Sequence, residues 1–107
     1  MKLENFIGAW QFSRPGLGGR QELSAKAEVK DNSLILAIEH RDALILKLQL
    51  QESSLIGQYA FEESTTSNPE DNGEHNHIQL NISKSGTCLQ GFPKGYANLE
   101  HWTFERV

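Results

Sequence analysis

A small all-β protein, built as an eight-stranded antiparallel up-and-down β-barrel, follows from three features of this chain. Apolar residues recur at every second position over short stretches, most clearly at Leu44, Leu46, Leu48 and Leu50. Turn-forming residues separate the stretches, and most connections are short. Eight such stretches can be counted, and a meander of that many strands closes on itself more readily than it leaves two apolar edges exposed. The interior of such a barrel is either filled by side chains or holds one small ligand.

The first strand starts at Gly8, where Gly8, Trp10 and Phe12 share one face and Ala9, Gln11 and Ser13 the other. Arg14-Pro15-Gly16-Leu17-Gly18-Gly19 is expected to end it as a loop, because Pro lacks a donor and the glycines permit positive φ. Arg20 to Lys30 contains helix formers, but Leu23, Ala25, Ala27 and Val29 alternate with polar residues and would lie all round a helix, so a strand is expected. Asp31-Asn32 is a two-residue hairpin linker of the type that accepts left-handed backbone, leading into Ser33 to Glu39. His40-Arg41-Asp42 turns the chain into Ala43 to Gln51, and Glu52-Ser53 turns it into Leu55 to Phe61. Gly57, inside that fifth strand, points to a bulge or to the close approach of something bulky, such as an aromatic side chain. Glu62 to Glu74 holds almost nothing that could be buried and is expected as a long exposed loop. His75 to Ser83, Thr87 to Phe92 and Asn98 to Arg106 complete the strands, with turns at Ser85-Gly86 and Pro93-Lys94-Gly95.

At 107 residues the chain is a single domain with one core. A net charge of -4, with ten Lys and Arg scattered along the chain, provides no basic footprint for nucleic acid. No apolar run approaches the roughly 20 residues of a membrane-crossing helix. The lone Cys88 cannot form an internal disulfide and Met1 to Asn5 lacks the apolar run of a secretory signal, so a soluble, cytoplasmic protein is expected.

The opening Asn5-Phe6-Ile7-Gly8-Ala9-Trp10 and the ending Trp102-Thr103-Phe104-Glu105-Arg106 resemble the calycins, the superfamily of lipocalins and fatty-acid-binding proteins. The resemblance implies a barrel closed at one end by Trp10, with Arg106 packed across the indole. It also implies binding of a small apolar or amphipathic ligand, with Trp10, Phe12, Tyr59, Phe61, Trp102 and Arg106 as contacts. Between the two ends the likeness is architectural, since neither a Thr-Asp-Tyr segment nor an inward Arg-x-Tyr pair is present. The chain is also similar to the staphostatins, small cytoplasmic inhibitors of papain-like cysteine proteases. These are lipocalin-like barrels with filled interiors, a Phe-Ile-Gly-x-Trp stretch and an aromatic-Glu-Arg last strand. Their inhibitory loop precedes that strand, which in position corresponds here to Gly91, Phe92, Pro93, Lys94, Gly95 and Tyr96, with Gly95 as the residue that lets backbone enter a cleft.

Other constellations carry less. His75 and His77 lie on one face, but a metal needs three or four ligands, and His101 is two strands away, about 10 Å. Gly16-Leu17-Gly18-Gly19 does not open a helix and so lacks the amides of a phosphate loop. Cys88 has no flanking signature of a nucleophile and fits a small wall residue. The interior offers no acid or base beyond Tyr59 and Arg106, so no catalytic residue, cofactor or metal is expected, and the protein reads as non-enzymatic. A small hydrophobic ligand or a protease is the expected partner. Ile35, Ile45 and Ile56 on the outer face leave a monomer or a homodimer open.

Overall fold

Eight strands pair in sequence order, each antiparallel to the next, and β8 returns to β1 to close the barrel. The computed structural model describes residues 2–16, 19–39, 44–61, 76–94 and 101–107, with Phe61 described by its backbone alone. The strands are β1 Gly8–Gly16, β2 Gly19–Lys30, β3 Ser33–Ile38, β4 Leu44–Gln51, β5 Ser54–Phe61, β6 His77–Ile82, β7 Cys88–Pro93 and β8 Trp102–Arg106. The expected long loop from Glu62 to Glu74 lies outside the described residues.

The alternation behind the strand assignments is the alternation of burial. In β4, Leu44, Leu46 and Leu48 are buried while Lys47 and Gln49 are exposed, and Ile45 is half-buried on the outside. Ile35 and Ile56 on the outer face are half-buried as well. Asp31 and Asn32 carry the positive φ values of 53° and 62° that a two-residue hairpin with matching twist requires.

Two expectations need correction. Of the loop expected over Arg14 to Gly19, Arg14, Pro15 and Gly16 belong to β1 and Gly19 to β2, the ladder continuing through Pro15↔Arg20 to Gly16↔Gly19, while Leu17 and Gly18 lie outside the described residues. Pairing with β8 stops at Ser13, and beyond that point the described residues pair β1 with β2 alone, the setting in which a strand tolerates Pro. Gly57 marks neither a bulge nor a ring pressed against the core. Its pairs with Leu48 and Ile78 are in continuous register, and what approaches is backbone: a Cβ there would stand 1.9 Å from the Lys47 carbonyl oxygen. Gly91 is built the same way, with a Cβ 1.9 Å from the Gln79 carbonyl oxygen.

Large and small residues are matched across the inside of the wall. Trp10 lies opposite Ala25, and Trp102 opposite Gly91, so each indole occupies the space its neighbour leaves. Phe12 meets Trp102 edge-on at 5.4 Å between centroids and Phe104 at 4.9 Å, while Tyr59 meets Trp102 at 5.1 Å. Leu34, Leu36, Leu46, Leu48, Leu55, Leu80 and Leu89 pack beside them in the interior, each with 0 % exposure. A side chain with no surface open to a water-sized sphere borders no space that water could enter.

Candidate functional site

At one end of the barrel the chain enters as a short 3-10 helix, Leu3–Phe6, that buries Phe6 and turns into β1 at Gly8. Nothing in the periodicity announced this element; the signal available was the pair Phe6 and Trp10, four residues apart. The Phe6 carbonyl accepts a hydrogen bond from the Trp10 indole nitrogen at 2.8 Å, which satisfies a buried polar group the core could not. Arg106 then lies over Trp10, its guanidinium carbon 5.0 Å from the ring centroid. It donates to the Ile7 carbonyl at 2.6 Å and, at 3.4 Å, to the Asn5 carbonyl. The closure expected of Trp10 and Arg106 is therefore present in geometry, and Asn5, Phe6 and Ile7 complete it.

Gly8 is a glycine for two reasons: its φ of 133° is closed to side chains, and a Cβ would stand 3.2 Å from Arg106 Nη2. Gly8→Ala should lower stability by about 1–3 kcal/mol, seen as an earlier urea midpoint at unchanged slope. A midpoint equal to the wild type would show that Gly8 does not shape the closure.

The residues expected to touch a ligand do not share a common fate. Trp10, Phe12, Tyr59 and Trp102 are all buried, Trp10 against Phe6 and under Arg106, and Trp102 between Phe12 and Tyr59. Arg106 is exposed on the end of the barrel, outside the indole it covers. The Phe61 side chain lies outside the described residues. Compared with protein-family models, curated proteins and solved structures, the chain matches none of them.

At the other end lie the last residues of β1, β3, β5 and β7, and the connection leaving β7 begins there with Lys94. Of the residues expected to present a protein-binding loop, Gly91 and Pro93 point into the wall and are buried, while Phe92 and Lys94 are exposed; Gly95 and Tyr96 lie outside the described residues. Phe92 has 57 % of its surface free and rests against the His101 ring at 4.9 Å, forming the rim of a shallow groove of about 280 Å³ that also touches Asn81, Cys88 and Gln90. The start of the connection is held from within. Tyr59 donates its hydroxyl proton to the Lys94 carbonyl, and the Lys94 amide donates to the His77 carbonyl at 2.7 Å. Tyr59 thus reaches from the core to the stem of the loop, a role that alternation alone does not reveal.

Among the described residues no group of three His, Cys, Asp or Glu side chains is close enough to share a metal ion. His75, one of the two histidines weighed as ligands, lies outside them. No helix among the described residues is long and apolar enough to cross a membrane.

Proposed function

We propose that this protein is a non-enzymatic, protein-binding barrel with a filled interior, acting through the connection that follows Lys94 as an inhibitor of a papain-like cysteine protease. The observation that carries the reading is the absence of free surface on Phe12, Leu36, Leu46, Trp102 and Phe104, which directs recognition to the outside of the barrel. Two features of that outside support it. Phe92 is an exposed aromatic ring at the edge of a groove, the kind of group that anchors protein interfaces. The Tyr59 and His77 bonds to Lys94 fix the stem of the connection before any partner arrives, which reduces the ordering cost of docking. A free Cys88 thiol and a target that works through a thiolate both suit a reducing cytoplasm.

Gly95→Arg should abolish inhibition of such a protease while leaving the melting temperature within about 2 °C of the wild type. An unchanged inhibition constant would remove this connection from consideration. Native mass spectrometry after gentle purification, with fatty acids, retinoids and tetrapyrroles tested as quenchers of the two Trp residues, should find no stoichiometric small molecule and no saturable quenching. A bound lipophile would instead restore the ligand-binding reading, with Trp10, Phe12, Tyr59, Phe61, Trp102 and Arg106 as its contacts.

A further inference from the structure

The end of the barrel opposite Lys94 holds a second feature, independent of the protease reading. A cavity of about 480 Å³, open to solvent, lies between Asn5, Phe6, Lys84, Ser85, Thr87 and Arg106. Two of these residues are cations and none is an acid. Among the described residues neither Lys84 nor Arg106 is paired with a carboxylate. Alternation along β8 sends the nearest acid in sequence, Glu105, to the opposite face of the strand from Arg106.

Arg106 and the hydroxyls are held in place by the fold. Arg106 sits over Trp10 and spends one N–H on Ile7 and one on Asn5, and among the described residues its other three donors have no partner. Its backbone amide donates to the Thr87 carbonyl at 2.8 Å, so the strand bearing the guanidinium and the turn bearing Lys84 and Thr87 form one wall. Ser83 Oγ accepts the Cys88 amide at 3.1 Å, and from it a chain of hydroxyls runs through Ser85 at 3.3 Å to Thr87 at 2.6 Å. Either hydroxyl of each pair can be the donor, and in the arrangement that runs from Ser83 to Thr87 the Thr87 proton is left free at the cavity. Two cations and a hydroxyl lining one cavity, with no acid among its described lining residues, are the chemistry of oxyanion recognition.

We propose that this cavity binds a small oxyanion of the phosphate class, held between the Arg106 guanidinium and the Lys84 ammonium, with the Thr87 hydroxyl as a third donor. The test is an amide-resolved NMR titration at constant ionic strength with inorganic phosphate, phenyl phosphate and, as control, chloride. Phosphate should produce saturable shifts at Gly86, Thr87 and Arg106 that chloride does not. Lys84→Ala and Thr87→Val, both surface changes, should each weaken binding by about fivefold or more with the fold intact. Tighter binding of phenyl phosphate would assign the rest of the cavity to the organic part of a phosphate monoester, and equal affinities would assign the site to the free anion. Shifts that grow linearly and match those of chloride, or an affinity unaltered by both substitutions, would overturn the proposal.

Discussion

Gly57→Ala should destabilise the barrel by about 3 kcal/mol or more, enough to empty much of the stability of a domain this size. The added methyl would stand 1.9 Å from the Lys47 carbonyl oxygen, 2.9 Å from its carbon and 3.0 Å from the Leu48 Cα. These are backbone atoms of the adjacent strand, so no rotamer change can make room. β4 must move outward by more than an ångström, stretching the ladder bonds on which Leu46 and Leu48 depend for their depth. Gly86→Ala is the matched control: its φ of 73° imposes a local strain of about 1–2 kcal/mol, and nothing stands within 4 Å of the new methyl. Urea unfolding of the two variants checks the difference. A Gly57→Ala midpoint at or above that of Gly86→Ala would mean that the two strands do not approach so closely.

Trp102→Ala should lose about 3–5 kcal/mol, the usual cost of deleting a large buried aromatic side chain. Trp102 has no exposed surface and supports rings on two sides, Phe12 and Tyr59, so the hole cannot collapse without shifting both. Its loss should also be felt at a distance, because Tyr59 holds the Lys94 carbonyl and would lose its packing partner. The variant has a further use. If the native interior is filled, Trp102→Ala creates an apolar cavity and gains affinity for benzene-sized molecules that the wild type lacks. Equal uptake by both proteins, or a stability within 1 kcal/mol of the wild type, would show that space was there already.

The barrel was legible in the sequence because its information is local. Leu44 to Leu50 state their own period, and Asp31-Asn32 states its own turn, without reference to any other part of the chain. The plug was legible because Trp10 and Arg106 occupy recognisable positions near the two ends. What escaped depends on what stands across a gap. Alternation predicts that Phe12, Tyr59 and Trp102 face inward, but whether they line a space or fill it depends on centroid distances across the barrel, which no periodicity contains. Gly57 was noticed, yet its reason, a neighbouring carbonyl in place of a ring, lies in how β4 coils past β5. Pro15 reads as a terminator in the sequence because its tolerance depends on where β8 stops pairing, a fact about residues nearly ninety positions away.

The seam between β1 and β8 differs in kind from the other seven. Those join strands consecutive along the chain, whereas the contact of Arg106 with Ile7 spans 99 residues. Loop-closure entropy for that seam falls due before its contacts exist, which makes it the slow event of folding and raises the contact order of the whole domain. Until Trp102–Arg106 takes its place, β1 and β7 each lack a partner along one side. For that interval the protein is an open sheet with two sticky margins, and the last five-residue strand converts it to a ring with none.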